Sequence, residues 1–125
     1  MNNLIIDTAG KKIILKIITS NKEYNIQHDN CRENFDELVK LVFNFLAENQ
    51  VDLSKIDNVF VNQGPGKYTS IRSAISVVKA IKISKKISIY GYYSDQIADN
   101  NYLILLELLK EGRLTKDFIQ PKYLN

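Results

Sequence analysis

Three short, strongly β-branched runs fall within the first 28 residues, separated by breaks of only three or four residues. Leu4-Ile5-Ile6-Asp7 is followed by Thr8-Ala9-Gly10-Lys11, and residues 12–19 by Ser20-Asn21-Lys22. Residues 23–28 close the series. Breaks this short suit hairpins and are too short for a crossover, so an antiparallel meander of three strands is predicted. A helix over about 33–49 comes next, then a connector at Asp52-Leu53-Ser54 and a fourth strand over 56–61. A Gly-Pro-Gly loop leads into a second helix over about 69–84, and a fifth strand covers 87–90. The order βββαβαβ is that of an α/β domain whose later strands, each reached through a helix, pair in parallel. Residues 94–110 read as one or two further helices stopped by Gly112, and 115–125 as a tail containing a proline.

A chain of 125 residues suits one domain with a core of its own. A net charge of +3 falls short of a nucleic-acid footprint unless the cations cluster. The densest run, Lys79, Lys82, Lys85 and Lys86, sits at the end of a helix, where lysines complement the helix dipole; that reading is preferred to RNA contact. The single cysteine, Cys31, rules out an intrachain disulfide. With His28 it makes too few ligands for structural zinc, and nothing around the pair argues for catalysis. The start of the chain meets an acid almost at once, and no apolar run approaches membrane-spanning length. The chain is expected to be cytoplasmic, with no membrane partner.

The two long helices differ in pattern. Helical residues step by about 100°, so Phe35, Leu38, Val39, Leu41, Val42, Phe43, Phe45 and Leu46 cover roughly 200° of the first helix. A helix lying on a sheet needs only about 100° of apolar stripe, and the excess points to a protein partner. On the second helix Ile71, Ala74, Ile75, Val77, Val78 and Ile81 form one stripe, beside a strip of small residues, Ser73, Ser76 and Ala80, that permits close approach of another helix. Helical phase assigns Leu38, Leu41 and Phe45 with Ser73, Ser76 and Ala80 to an outer, partner-facing arc. Phe35, Val39, Val42, Leu46, Ile71, Ala74, Val78 and Ile81 form the inner arc on the sheet. An isolated chain hides the outer arc by pairing with itself, which makes a homodimer the companion expectation.

Between strand and helix lies Asn62-Gln63-Gly64-Pro65-Gly66-Lys67-Tyr68-Thr69-Ser70-Ile71-Arg72. Gly64 and Gly66 accept positive φ and Pro65 fixes its own, so a sharp turn is predicted, with Thr69 as N-cap of the helix. Amides at such a helix start are placed to hold an anion, but the spacing is not that of a P-loop, because Lys67 is followed by Tyr68.

The string N-x-G-P-G-x-Y-T-x-I-R resembles the GPG-S-F-T-G-x-R signature of the TsaB (YeaZ) family. Three other pieces fall in that family's order: Leu4-Ile5-Ile6-Asp7-Thr8-Ala9, Asp52-Leu53-Ser54-Lys55-Ile56-Asp57 and Gln120-Pro121-Lys122-Tyr123-Leu124-Asn125. The resemblance covers the N-terminal three quarters and the tail. It departs where Lys67, Tyr68 and Ser70 replace the family's Ser, Phe and Gly. It implies a ribonuclease-H-like βββαβαβ core of the actin-like ATPase (ASKHA) superfamily. It also implies a non-catalytic scaffold or activator that binds the catalytic TsaD-type subunit through its first two helices. That subunit transfers threonylcarbamoyl to adenosine in tRNA (the t6A modification). A TsaE-type ATPase joins the complex and tRNA is engaged indirectly. ATP and threonylcarbamoyl-adenylate are used by the complex, with no cofactor or metal bound by this chain alone. The signature loop is then Gly64, Pro65, Gly66, Thr69 and Arg72. Residues 1–98 are read as the ASKHA N-terminal-type domain and 99–125 as a remnant of a second domain, so the interdomain nucleotide cleft is missing.

Three rivals are weighed against this reading. A metal-binding catalytic relative needs an H-x-x-x-H pair on the first helix, which has no histidine. A ribonuclease-H-like nuclease needs several carboxylates around two metals, and the fourth strand ends in neutral Asn62 and Gln63. A stand-alone helix-mediated interaction module, a homodimer with no tRNA role, predicts the same helices and remains the alternative. Asp7 and Thr8 mark a vestigial phosphate site on one reading. On the preferred reading, Asp7 caps the first hairpin turn through the amides of Thr8 and Ala9.

Overall fold

The computed structural model describes residues 1–85 and 87–123. Lys86 of the basic run, and Leu124 and Asn125 of the tail motif, lie outside the described residues. The chain opens with β1 (Asn3–Asp7), β2 (Lys12–Ile18) and β3 (Glu23–Asp29). They form the antiparallel meander that the short breaks require, with Asn3 opposite Ile18 and Lys12 opposite Asp29. The Asn30 amide fastens the first hairpin by donating to the carbonyls of Thr8 at 2.8 Å and Gly10 at 2.7 Å.

Helices α1 (Arg32–Asp36) and α2 (Leu38–Glu48) lead to β4 (Asn58–Asn62), and α3 (Tyr68–Lys85) leads to β5 (Ser88–Tyr92). Both later strands run parallel to β1, and a mixed α/β sheet in the order β3-β2-β1-β4-β5-β6 results. Every residue of β1 and β4 is buried, as continuous apolar runs must be in parallel strands covered on both faces. The outermost strand, β6 (Thr115–Lys116), lies in what the sequence presents as an irregular tail; it pairs antiparallel with β5.

Two further boundaries differ from the sequence reading. The single helix expected over 33–49 breaks at Glu37, whose φ of −108° and ψ of 25° leave the helical region. Residues 94–110 are helical only from Ile104 to Lys110, here α4; before it come two 3₁₀ turns, Ser94–Gln96 and Ala98–Asn100. Asp99 and Asn100 take positive φ, 53° and 55°, a conformation that Asp and Asn tolerate and that ends a helix.

The sheet has a core on each face. Under α2 and α3 lie Leu4, Ile6, Leu15, Val59, Val61 and Ile89; on the other face Ile5, Ile18, Phe60 and Tyr92 meet Ile97, Tyr102, Leu105 and Leu108. The first core corrects the assignment of helix faces. Leu38 and Phe45, expected to face a partner, are 1% and 2% exposed and pack in the core, and Leu41 is half-buried against it. Val39, expected inside, is 52% exposed, and Phe43 is 46% exposed. The over-wide arc of α2 is therefore real, but its uncovered flank is the opposite one. A pattern spanning roughly 200° has two flanks that helical phase cannot tell apart. On α3 the inner residues Ile71, Ala74, Val78 and Ile81 are buried, Ser76 and Ala80 are exposed, and Ser73 is half-buried. The Ser73 hydroxyl donates to the Phe35 carbonyl at 2.7 Å, which joins α3 to α1 within the chain.

The exchange of flanks has a measurable consequence. Phe45→Ala is expected to lower stability by about 3–5 kcal/mol, whereas Val39→Ala changes it by about 0.5 kcal/mol or less. Urea denaturation of the two variants checks it; equal effects contradict the placement.

Candidate functional site

The C-terminal ends of the three parallel strands lie side by side. Asn62 is opposite Tyr92, and β1 runs beside β4 in the register that sets Ile6 against Val61, so Asp7, Asn62 and Tyr92 end adjacent strands. Alternation along each strand sends all three side chains to the α4 face with Ile5 and Phe60. There the Asp7 carboxylate, 4% exposed, accepts four hydrogen bonds. Asn62 Nδ2 donates to Oδ1 at 3.1 Å and the Ala9 amide at 3.0 Å; Oδ2 receives the hydroxyls of Tyr102 at 2.7 Å and Tyr92 at 3.2 Å. Ala9 is one of the two turn amides expected to meet this carboxylate.

Burial raises the Tyr92 hydroxyl well above its ordinary pKa, and the neighbouring Asp7 charge and Tyr102 push it further. Burial and then Asp7 raise Tyr102 in the same way. Both phenols remain donors across the physiological range. The arrangement does not fit a metal-bound phosphate: every Asp7 partner is a protein donor, and Thr8 is turned into the chain. Thr8 Oγ1 donates to the Ser70 carbonyl at 2.8 Å, and the Ser70 hydroxyl lies 3.2 Å from the Thr8 carbonyl. The phosphate reading of Asp7 and Thr8 is thus replaced by a closed clasp between the end of β1 and the first turn of α3. Among the described residues no group of three His, Cys, Asp or Glu side chains is gathered to hold a metal ion.

The signature loop grows out of the same cluster. Asn62 donates to Ser94 Oγ at 3.0 Å, and its Oδ1 accepts the Gly64 amide at 2.8 Å. Gly64 takes the positive φ expected of it, 113°, and a Cβ there meets the Lys122 carbonyl at 2.1 Å. Gly66 does not need positive φ; it is required by space, because a Cβ at this position would lie 2.8 Å from the Ile71 side chain. Thr69 is the second residue of α3 rather than its N-cap, and Lys67, the last residue before the helix, accepts the Ile71 amide at 3.0 Å. Arg72 points outward from the first turns, over the ring of Tyr68.

The tail is laid across this loop. The Lys122 amide donates to the Gln63 carbonyl at 2.7 Å, and the Gln63 side chain donates to the Gln120 carbonyl at 2.8 Å. Gly66 bridges Tyr123 in parallel, and the rings of Tyr68 and Tyr123 meet at a tilt of 41° with centroids 4.7 Å apart. The six residues assigned to a partner interface do not come together on one surface. Leu38 and Phe45 are in the core, Leu41 and Ser73 pack within the chain, and Ser76 and Ala80 are exposed. The exposed apolar residues of this face are Val39, Phe43 and Ile83. Phe43 lines a groove of about 320 Å³ with Ala47, Ser84 and Lys85, so the open flank of α2 is continuous with α3.

Comparison with known proteins decides the family. The family model described as "TsaD: tRNA N6-adenosine threonylcarbamoyltransferase" matches residues 19–94. The chain belongs to the TsaD-like family, on its TsaB (YeaZ) branch. It is 30% identical over 81 residues to the tRNA threonylcarbamoyladenosine biosynthesis protein TsaB of Buchnera aphidicola subsp. Baizongia pistaciae, covering 64% of this chain and 36% of that protein. It is 25% identical over 88 residues to the TsaB of Buchnera aphidicola subsp. Schizaphis graminum, covering 70% of this chain and 42% of the relative. This TsaB-family chain therefore spans less than half the length of these curated relatives. Its fold is that of YeaZ from Pseudomonas aeruginosa, with a TM-score of 0.69 at 22% identity over 89% of this chain and 50% of that one. RuvC of T. thermophilus, solved with a Holliday junction substrate, shares the fold at a TM-score of 0.54 and 15% identity, covering 90% and 79% of the two chains. That likeness is one of fold alone, and Asp7 here is met by an amide and two phenols rather than by further acids.

Sequence reasoning found Asp7 and the loop but not Tyr92 or Tyr102. The signal for Tyr92 is the polar residue that ends each parallel run, Asp7, Asn62 and Tyr92. Tyr102 arrives from outside the sheet and has no such signal.

An alkaline titration tests the cluster. Unfolded tyrosine ionises near pH 10, and the folded phenols do so only at higher pH. The unfolded chain therefore loses protons first. Stability is complete below about pH 10 and falls as pH rises through the folded values. Near-ultraviolet absorbance should show two of the seven tyrosines withheld from ionisation until the chain unfolds. Tyr102→Phe should cost about 1–3 kcal/mol by leaving a buried carboxylate short of one donor. Seven tyrosines titrating together contradict the arrangement.

Proposed function

We propose that this chain is a non-catalytic, TsaB-type scaffold of the t6A tRNA-modification machinery and docks a TsaD-type catalytic subunit through the open trough between α2 and α3. The observation that carries this reading is the uncovered apolar flank. Val39, Phe43 and Ile83 remain exposed although the rest of each helix's stripe is buried. Ser76, Ala80 and Ile83 fall within about 60° on α3, so small residues border the apolar ones and a partner helix can come close. Family membership supplies the partner's class, and the names of the curated relatives supply the pathway. The closed Asp7 cluster supports the non-catalytic role: the carboxylate best placed for chemistry is spent on the chain's own donors. In this proposal ATP and threonylcarbamoyl-adenylate are handled by the other subunits, a TsaE-type ATPase among them, and the assembly works on tRNA in the cytoplasm.

Copurification with a TsaD-type subunit tests the reading. Phe43→Asp and Ala80→Arg alter exposed positions, so both variants should fold. Each should weaken the complex by about 2 kcal/mol or more, roughly 30-fold. Depletion of the chain should lower t6A in cellular tRNA. A wild-type chain that captures no TsaD-type subunit and sediments as a concentration-dependent dimer, broken by the same substitutions, assigns the trough to a second copy and rejects the proposal.

A further inference from the structure

The tail is seated on the fold as a bound peptide is. It leaves β6 at Asp117, where φ is 67°, and runs back along α3 toward the start of that helix. Asp117 pairs with Lys82 at 2.6 Å near the helix end. Pro121 shares a groove of about 170 Å³ with Arg72, Ile75, Ser76 and Lys79, and Tyr123 meets Tyr68 at the helix start. Of residues 118–123 only Ile119 is buried, and Tyr123 is half-buried. Phe118, Gln120, Pro121 and Lys122 are exposed.

The rest of the hold is main chain. The Lys122 amide donates to the Gln63 carbonyl at 2.7 Å, and the Lys122 carbonyl accepts the Gly66 amide at 3.3 Å. The Gln63 side chain donates to the Gln120 carbonyl. One aliphatic anchor, one aromatic and a run of main-chain hydrogen bonds, with the side chains between them in water, is how an extended peptide sits in its receptor. The receptor is shaped for it. A Cβ on Gly64 would lie 2.1 Å from the Lys122 carbonyl oxygen, and one on Gly91 would lie 2.3 Å from Oε1 of Gln63. Gln63 is fully buried and its Oε1 is unpaired, so among the described residues the bond to Gln120 is the one its side chain makes. That bond is the polar latch of the tail.

We propose that residues 117–123 are a releasable strap, the resident ligand of a peptide site formed by Gln63–Gly66 and the tail side of α3, and that its seating controls docking on α3. The site takes an extended peptide with an aliphatic anchor, a proline and an aromatic at the spacing of Ile119, Pro121 and Tyr123. Ser76 belongs both to the strap groove and to the small residues of the outward arc, so the strap borders the surface offered to the partner. The control of docking rests on the scaffold reading; the peptide site does not.

Hydrogen exchange on the wild-type chain is the first test. The Gly66 and Lys122 amides should open together, with protection at least about tenfold below that of amides within β4, as a local unit does. Exchange of both only with β4 makes the tail part of the core and overturns the proposal. Fluorescence anisotropy is the second, with a labelled peptide of the sequence of residues 117–123. Ile119→Asp in the full chain empties the site and leaves its walls intact. The peptide should bind this variant but, at micromolar concentration, not the wild type, whose tethered strap competes at an effective concentration of about millimolar. The same peptide with Asp at the anchor position should not bind. Adding Tyr68→Ala to the variant should weaken binding by about 2- to 10-fold. An Ile119→Asp chain that is unfolded, that binds no peptide, or that binds it equally without Tyr68 overturns the proposal. Copurification with the TsaD-type subunit separates the two readings. Ile119→Asp should capture less subunit, and the peptide should restore capture. Equal capture by wild type and variant overturns the control of docking and leaves the scaffold reading standing. A wild-type chain that captures none rejects the scaffold reading, while peptide binding by Ile119→Asp still supports the site.

Discussion

A carboxylate removed from water is tolerated only when its oxygens are paired. Asp7 meets that condition by drawing on every part of the fold that reaches the ends of the parallel strands. Asn62 comes from β4, Tyr92 from β5, the Ala9 amide from the first hairpin, and Tyr102 from the segment ahead of α4. One buried charge thus fixes the mutual register of three strands and holds the C-terminal segment on the second face. Without Tyr102 that segment keeps its apolar contacts through Leu105 and Leu108 but loses its directional anchor. The apolar core supplies most of the driving force; the carboxylate specifies which arrangement it takes.

The signature loop inherits its position from that cluster. Asn62 faces two ways, donating to Asp7 and accepting the Gly64 amide, so the turn begins at a fixed point. Ser70 and Thr8 then clasp the first turn of α3 to the end of β1. The tail completes the mount through Gln63, Gly66 and the tilted Tyr68–Tyr123 contact. A loop of the kind that suggests phosphate binding is here a joint that orients a helix. The Gly64 amide is committed to Asn62, and the Gly66 amide and Gln63 to the chain's own tail.

Much of this was legible in the sequence because it depends on local spacing. Short breaks between β-branched runs dictate hairpins, and helices between later runs dictate parallel pairing. The apolar stripe of α3 is narrow enough that its inner face, Ile71, Ala74, Val78 and Ile81, is unambiguous. On α2 the stripe is too wide, and phase alone could not say whether Leu38 and Phe45 or Val39 and Phe43 stay uncovered. The neighbouring elements decide it: β3 offers Tyr24 and Ile26 to the first core, whereas nothing in the described chain reaches Val39 and Phe43 well enough to bury them. The break at Glu37, the left-handed Asp99 and Asn100, and the strand at Thr115–Lys116 were equally hidden, because each is set by packing over long sequence separations.

The division of α3 into sides follows from these same constraints. Its inner arc is consumed by the sheet and one shoulder by α1 through Ser73. The outward arc is bordered on one side by the tail. Near α2, Ser84 and Lys85 at the end of α3 share a groove with Phe43. Near the tail, Arg72, Ser76 and Lys79 share a groove with Pro121 and Tyr123. Uncovered apolar area costs solubility unless something covers it, and unpaired cations on one side repel one another unless an anion lies among them. The mount built on Asp7, with the Thr8–Ser70 clasp, is what holds this outward arc of α3 at a fixed angle to the sheet.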